Sequence, residues 1–205
     1  MTKVEGSGGL VSVDTCKEQM IYEIHNPKAY LTPDATADFS KVTFRQIGEN
    51  QVRAEHATTH GRPETLKVSV GYKDCFIGEG EISYGGSNCM ARAELAAEIL
   101  EKRIELTGIE LEEYRTDFIG CNSLYRDAIS KEIGSGTPCE VRLHAAGRTK
   151  DRKNAVLLAN EVEALYTNGP AGGGGAVKRV SEIVSVCSIF VPRDAVEAKV
   201  TLREV

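Results

Sequence analysis

EVRLHAAGRTKDRKNAVLLANEVEALYTNGP, residues 140 to 170, carries the two periods that decide the fold. Its first seven residues alternate, with Val141, Leu143 and Ala145 on an inner face, the pattern of a half-buried strand. From Thr149 the period becomes helical: Ala155, Leu158, Val162 and Leu165 form one stripe, closed by Asn168-Gly169-Pro170. EIVSVCSIFV, 182 to 191, is then a continuous apolar run of strand length, and a further short strand is expected at 196 to 202.

The same order stands earlier in the chain. TLKVSVGY, 65 to 72, alternates with Leu66, Val68 and Val70 on one face. Residues 89 to 107 place Ala93, Ala97, Leu100 and Ile104 on one helical stripe, between a Ser87-Asn88 start signal and a Gly108 stop. A strand follows at 111 to 119, then a short helix at 123 to 133 ending in GSGTP. Two strand–helix–strand units, 66 to 119 and 140 to 191, predict an α+β fold: a ferredoxin-like two-layer sandwich with an antiparallel or mixed sheet and helices on one face. Nearer the start, Cys16, Met20, Ile21 and Ile24 mark a short helix from Thr15 that ends at Asn26-Pro27. KVTFRQIGENQVRAEH, 41 to 56, reads as two strands around Gly48-Glu49-Asn50. The expected organisation is a single domain over 1 to 205, divisible into 1 to 120 and 121 to 205.

A chain of 205 residues can bury roughly 70% of its unfolded surface, and 41% hydrophobic with 27% charged residues is an ordinary globular composition. The 25 basic and 30 acidic residues give a net charge of −5, the wrong sign for a partner made of phosphate backbone, so no nucleic-acid partner is expected. No apolar run reaches the ~18 residues of a membrane helix, and the first residues lack a secretion signal; the chain reads as cytosolic, with no membrane partner. Six scattered cysteines without a C-x-x-C pair read as reduced thiols.

Two glycine clusters stand out. EGSGGLVSVDTC, 5 to 16, runs into the first helix, where Gly6, Ser7, Gly8 and Gly9 either hold an anion at a helix N-terminus or form a plain lead-in loop capped by Asp14 or Thr15. TNGPAGGGG, 167 to 175, offers Asn168, Gly169, Gly172, Gly173 and Gly174 for close approach of a ligand or neighbouring subunit, or else is a mobile surface loop.

YKDCFIGEGEISYGG, 72 to 86, lies between glycine-punctuated strands, and in an extended segment Glu79 and Glu81 share a face. Paired carboxylates there can serve acid–base chemistry or stay simply solvated. His144 shares a face with Arg142 and is read as a surface or interface residue. His56-x-x-x-His60 has helix-type metal spacing but falls in strand and turn, so no metal site is assigned. In YLTPDATADFS, 30 to 40, Asp34 and Asp38 either serve a site or cap turns.

Taken in order, EGSGGLVSVDTCKEQMIYEIHNPKAYLTPDATADFSKV, GRPETLKVSVGYKDCFIGEGEISYGG and VEALYTNGPAGGGG resemble the acyclic terpene utilisation (AtuA-type) family, over nearly the whole chain. The resemblance implies catabolism of citronellol- and geraniol-type terpenoids and branched carboxylic acids through acyl-CoA intermediates. It implies the second half of a longer domain, with Met1 close to the Gly-rich junction, hence a split subunit or a fragment. The partners implied are a subunit carrying the N-terminal half and a further small ferredoxin-like subunit.

On this resemblance the chain is expected to serve a heteromeric hydratase, dehydratase or lyase acting on a small-molecule acid or acyl-CoA. Coenzyme A would then be part of the substrate. Glu79, Glu81, Tyr84, Asp34 and Lys67 are the proton-transfer candidates. The other reading is a non-catalytic structural or regulatory subunit.

Overall fold

A computed structural model describes residues 1–133, 136 and 138–204, and divides the chain into two compact units. Met1–Val70 and Cys187–Val205 make the first unit, and Gly71–Val186 the second. In chain order the elements are α1 (Val13–Ile21), β1 (Tyr30–Leu31), β2 (Thr36–Asp38), β3 (Thr43–Gly48), β4 (Gln51–Glu55), β5 (Thr58–Thr59), β6 (Thr65–Gly85), α2 (Cys89–Thr107), β7 (Glu113–Ile119), α3 (Arg126–Ile133), β8 (Glu140–Thr149), α4 (Arg152–Asn168) and β9 (Gly173–Pro192). Strands β6 and β9 each contribute residues to both units.

The second unit is the α+β sandwich expected from the two periods. Its sheet runs β7-β8-β6-β9, so each strand–helix–strand crossover spans one intervening strand, the interlocked order of a ferredoxin-like fold. Strand β8 pairs antiparallel with both β6 and β7. Alternation along β6 and β8 turns Ile82, Tyr84, Val141, Leu143 and Ala145 to one face, where they are buried under α2 and α4. The helices answer with small side chains, Cys89, Ala93 and Ala96 from α2 and Ala155 and Ala159 from α4, which let them lie close to the sheet. Leu143 is fully buried at the centre of this layer. Truncating it to Ala is expected to cost about 2–5 kcal/mol, read from the midpoint of a denaturant titration.

Several elements differ from the sequence reading. The stretch 65 to 85 is one 21-residue strand rather than strands interrupted at glycines. Gly78 and Gly80 are strand residues required by α4: a Cβ at Gly78 would stand 2.2 Å from the Ala155 carbonyl oxygen, and one at Gly80 would stand 2.4 Å from Val162 Cβ. Helix α4 starts after Asp151, whose side chain accepts from Lys153 N at 2.8 Å, because Thr149 is the buried end of β8. Strand β9 begins at Gly173, so Gly173, Gly174 and Gly175 are sheet, not loop. Residues 196–204 form no strand: a 3-10 turn at Arg193–Ala195 follows β9 directly. Of GSGTP, residues 134, 135 and 137 lie outside the described residues.

In the first unit α1 ends at Ile21, short of Asn26, with Glu23 at φ 58°. A capping box between Ser12 and Thr15 closes its N-terminus, in place of the Asp14 or Thr15 cap expected. Strands β3 and β4 form the hairpin read around Gly48-Glu49-Asn50, and β1-β2-β5 form a separate antiparallel sheet.

One ion network ties the strands of the second unit. Asp74 accepts from Ser185 Oγ at 2.6 Å, from Lys150 Nζ at 3.0 Å and from Arg148 Nη2 at 3.0 Å. The Ser185 bond above all, then Lys150 and the charge of Arg148, hold its carboxyl at about 2, against an ordinary 3.8. A depressed carboxyl stabilises the fold at pH above its ordinary value and stops doing so as pH falls through about 2. Asp74→Asn is therefore expected to lower Tm near neutrality, and the gap to the native chain should close between pH 4 and 2.

Candidate functional site

The second face of the β7-β8-β6-β9 sheet, away from α2 and α4, is polar because the same alternation that buries Ile82 and Leu143 turns their neighbours outward. Register then assembles what the sequence keeps apart. Glu81 on β6 and Asp117 on β7 both stand opposite His144 on β8, and Glu79 lies one step along on the diagonal, opposite Ala146. His144 Nε2 is 3.5 Å from Glu79 Oε1 and its Nδ1 is 3.8 Å from Asp117 Oδ2. These are ion-pair distances with room for the ring to close onto either carboxylate.

Each carboxylate has its own guanidinium. Arg179 Nε donates to Glu79 Oε2 at 3.1 Å, and Arg115 Nε reaches Asp117 Oδ2 at 2.6 Å. Arg142 pairs with Glu81 and donates to Ser83 Oγ at 2.8 Å and to the Gly175 carbonyl at 3.1 Å. With each carboxylate held by an arginine, the imidazole is the member of this set that lies between two carboxylates without a guanidinium of its own. The His144 and Glu79 side chains keep 21% and 23% of their surface, so solvent or a small substrate reaches both. A cleft of about 340 Å³ lined by Glu79, Glu81, Val177 and Arg179 opens beside them.

The proton-transfer candidates do not all share this site. Glu79 and Glu81 do, but Tyr84 points to the opposite face, fully buried under the helices with its hydroxyl unpartnered. Burial raises its pKa, so it stays protonated. Asp34 and Lys67 belong to the first unit: Asp34 is exposed in the turn after β1, and Lys67 faces a separate cleft described below. Asp38 caps a turn, accepting from Ser40 N at 2.8 Å and Ser40 Oγ at 2.6 Å, and lies 3.2 Å from His60. Among the described residues no group of three His, Cys, Asp or Glu side chains is arranged to hold a metal ion, and His56 bonds Thr43 instead.

Around Gly6, Ser7, Gly8 and Gly9 the loop turns carbonyls inward: Lys3 Nζ donates to the Ser7 and Gly9 oxygens at 3.0 and 3.1 Å, a polarity suited to a cation. Asn168 ends α4 and Gly169 is its C-cap, the negative end of the helix. Gly172 and Gly173 meet close neighbours inside the chain, since a Cβ would stand 2.7 Å from Arg92 Nη1 and 2.8 Å from Ile82 Cδ1 respectively; Gly174 faces open space. Arg92 is itself filled by backbone oxygens of Ala171, Gly85 and Ser87. At Gly172 and Gly173 the close neighbours are the protein's own Arg92 and core.

Sequence reasoning passed over His144 and Asp117. The signal was the shared face of Arg142 and His144 in an alternating strand, and Arg115 with Asp117 in another; only register joins them.

Residues 1–202 match one protein family, described as acyclic terpene utilisation family protein AtuA. No curated protein and no solved structure matches the chain.

Proposed function

The chain belongs to the acyclic terpene utilisation (AtuA) family, and on that premise we propose that it supplies the acid–base floor of a heteromeric hydro-lyase acting on branched, unsaturated acyl groups. Family membership implies a role in acyclic terpene utilisation. The observation that supports the finer reading is His144 set between Glu79 and Asp117 on an accessible sheet face.

Hydration of a conjugated acyl group needs one group to take a proton from water as its oxygen bonds the β-carbon, and a proton returned to the α-carbon as the enolate collapses. His144 takes the first proton, and Glu79 orients the ring and stabilises the imidazolium. Arg179, whose Nε alone is committed to Glu79, turns its remaining N–H groups toward the substrate's anionic end, whether the carboxylate of a free acid or the phosphates of coenzyme A. A sheet face offers a floor and no roof, so a partner subunit carrying the rest of the family's domain closes over it, and a further small ferredoxin-like subunit completes the assembly.

The test is to co-purify the chain with its operon neighbours and incubate the assembly with a branched 2,3-unsaturated acyl thioester in D₂O. Deuterium should appear at the α-carbon together with a β-hydroxyl group. Unchanged thioester would remove the hydro-lyase reading and leave a structural or regulatory subunit.

A further inference from the structure

The first unit holds a cleft of about 370 Å³ that no function is attached to. Its floor is strand β6, where alternation turns Thr65, Lys67 and Ser69 to one face. Its walls are mixed: Tyr30 and Leu31 of β1, Leu66 and Phe190 of β9 are apolar, and His25, Asn26 and Thr32 add polar groups. Tyr30 and Phe190 keep 42% and 56% of their surface, so two large rings stand uncovered around one ammonium group. Among the described residues Lys67 has no hydrogen-bond or ion-pair partner, although Glu23 also lines the cleft. A cation without a partner, beside uncovered aromatic and aliphatic side chains, is a site for an amphipathic anion.

We infer that this cleft binds a free apolar carboxylate, the acid head on Lys67 and the hydrocarbon against Tyr30, Leu31 and Phe190. At the ~30 Å³ that a water occupies in the liquid, the volume admits about twelve heavy atoms, the size of a ten-carbon acid. A neutral ester or thioester offers Lys67 no anion and is disfavoured. Glu23 sets the selectivity by repelling a second negative charge, so a dicarboxylate is excluded. The inference is independent of the chemistry at His144, because binding is read without turnover.

Decanoate and decylammonium, equal in length and opposite in charge, are titrated into the ¹⁵N-labelled full chain. Decanoate should shift the amides of residues 29–32 and 65–69 saturably below millimolar concentration, and decylammonium should not. Lys67→Gln should weaken decanoate about fivefold, and Glu23→Gln should tighten it, a gain that misfolding cannot imitate. Ala29→Phe, which fills the cleft, should abolish the shifts. Equal binding of the two probes, unchanged affinity in Lys67→Gln, or no saturable shift in these segments would overturn the inference.

Discussion

His144→Gln is expected to slow hydration of an unsaturated acyl thioester by about 10²–10⁴-fold in the assembled enzyme, with KM changed little. Glutamine keeps a hydrogen-bonding head of similar reach but cannot accept a proton, so the change removes the base and leaves the sheet intact. Glu79→Gln should cost less, roughly tenfold, because Asp117 still faces the other ring nitrogen at 3.8 Å. It also frees Arg179, so KM should move in Glu79→Gln and stay put in His144→Gln. Steady-state kinetics on both variants, with circular dichroism confirming the fold, separates the roles. Native turnover in His144→Gln would assign the face to subunit contact instead of chemistry.

The largest stability effect is expected at a glycine. Gly78→Ala places a methyl group 2.2 Å from the Ala155 carbonyl oxygen, and a helix backbone cannot rotate away as a side chain can. Helix α4 must lift from the sheet, separating Leu158 and Val162 from their buried contacts. The expected cost is about 3 kcal/mol or more, a fall in Tm of roughly 6–12 °C for a chain of this size. Gly85→Ala is the control, because its Cβ would meet only the Cys139 carbonyl at 3.9 Å, ordinary contact distance. Comparable losses at the two positions would show that strand flexibility, not the close passage of α4, is what the glycines supply.

The fold was legible wherever one period ran unbroken. Helix α2 occupies Cys89–Thr107 as read, since its apolar stripe and the Gly108 stop are both local. Strand β6 departs from the sequence reading because glycine serves two purposes, ending strands at turns and thinning them under a helix, and the difference at Gly78 and Gly80 lies in α4, about eighty residues away. The site was half legible for a related reason. The shared face of Glu79 and Glu81 follows from their spacing on one strand. The place of His144 between Glu79 and Asp117 depends on pairing across three strands, which no local pattern encodes. Arg92 shows the same dependence: its contact with the second glycine cluster joins residues about eighty apart, which no local pattern encodes.

The first unit draws its residues from both ends of the chain, and the second is one uninterrupted stretch, Gly71–Val186. On the ribosome this becomes a matter of timing. Residues 1–70 emerge before the second unit yet wait for Cys187–Val205 beyond it, while the whole second unit is synthesised in roughly ten seconds at ~5–20 residues per second. The second unit can close as soon as Val186 clears the exit tunnel, and the cleft beside Lys67 gains Phe190 only after that. Nascent chains halted before that point would carry the acid–base face complete and the cleft unwalled.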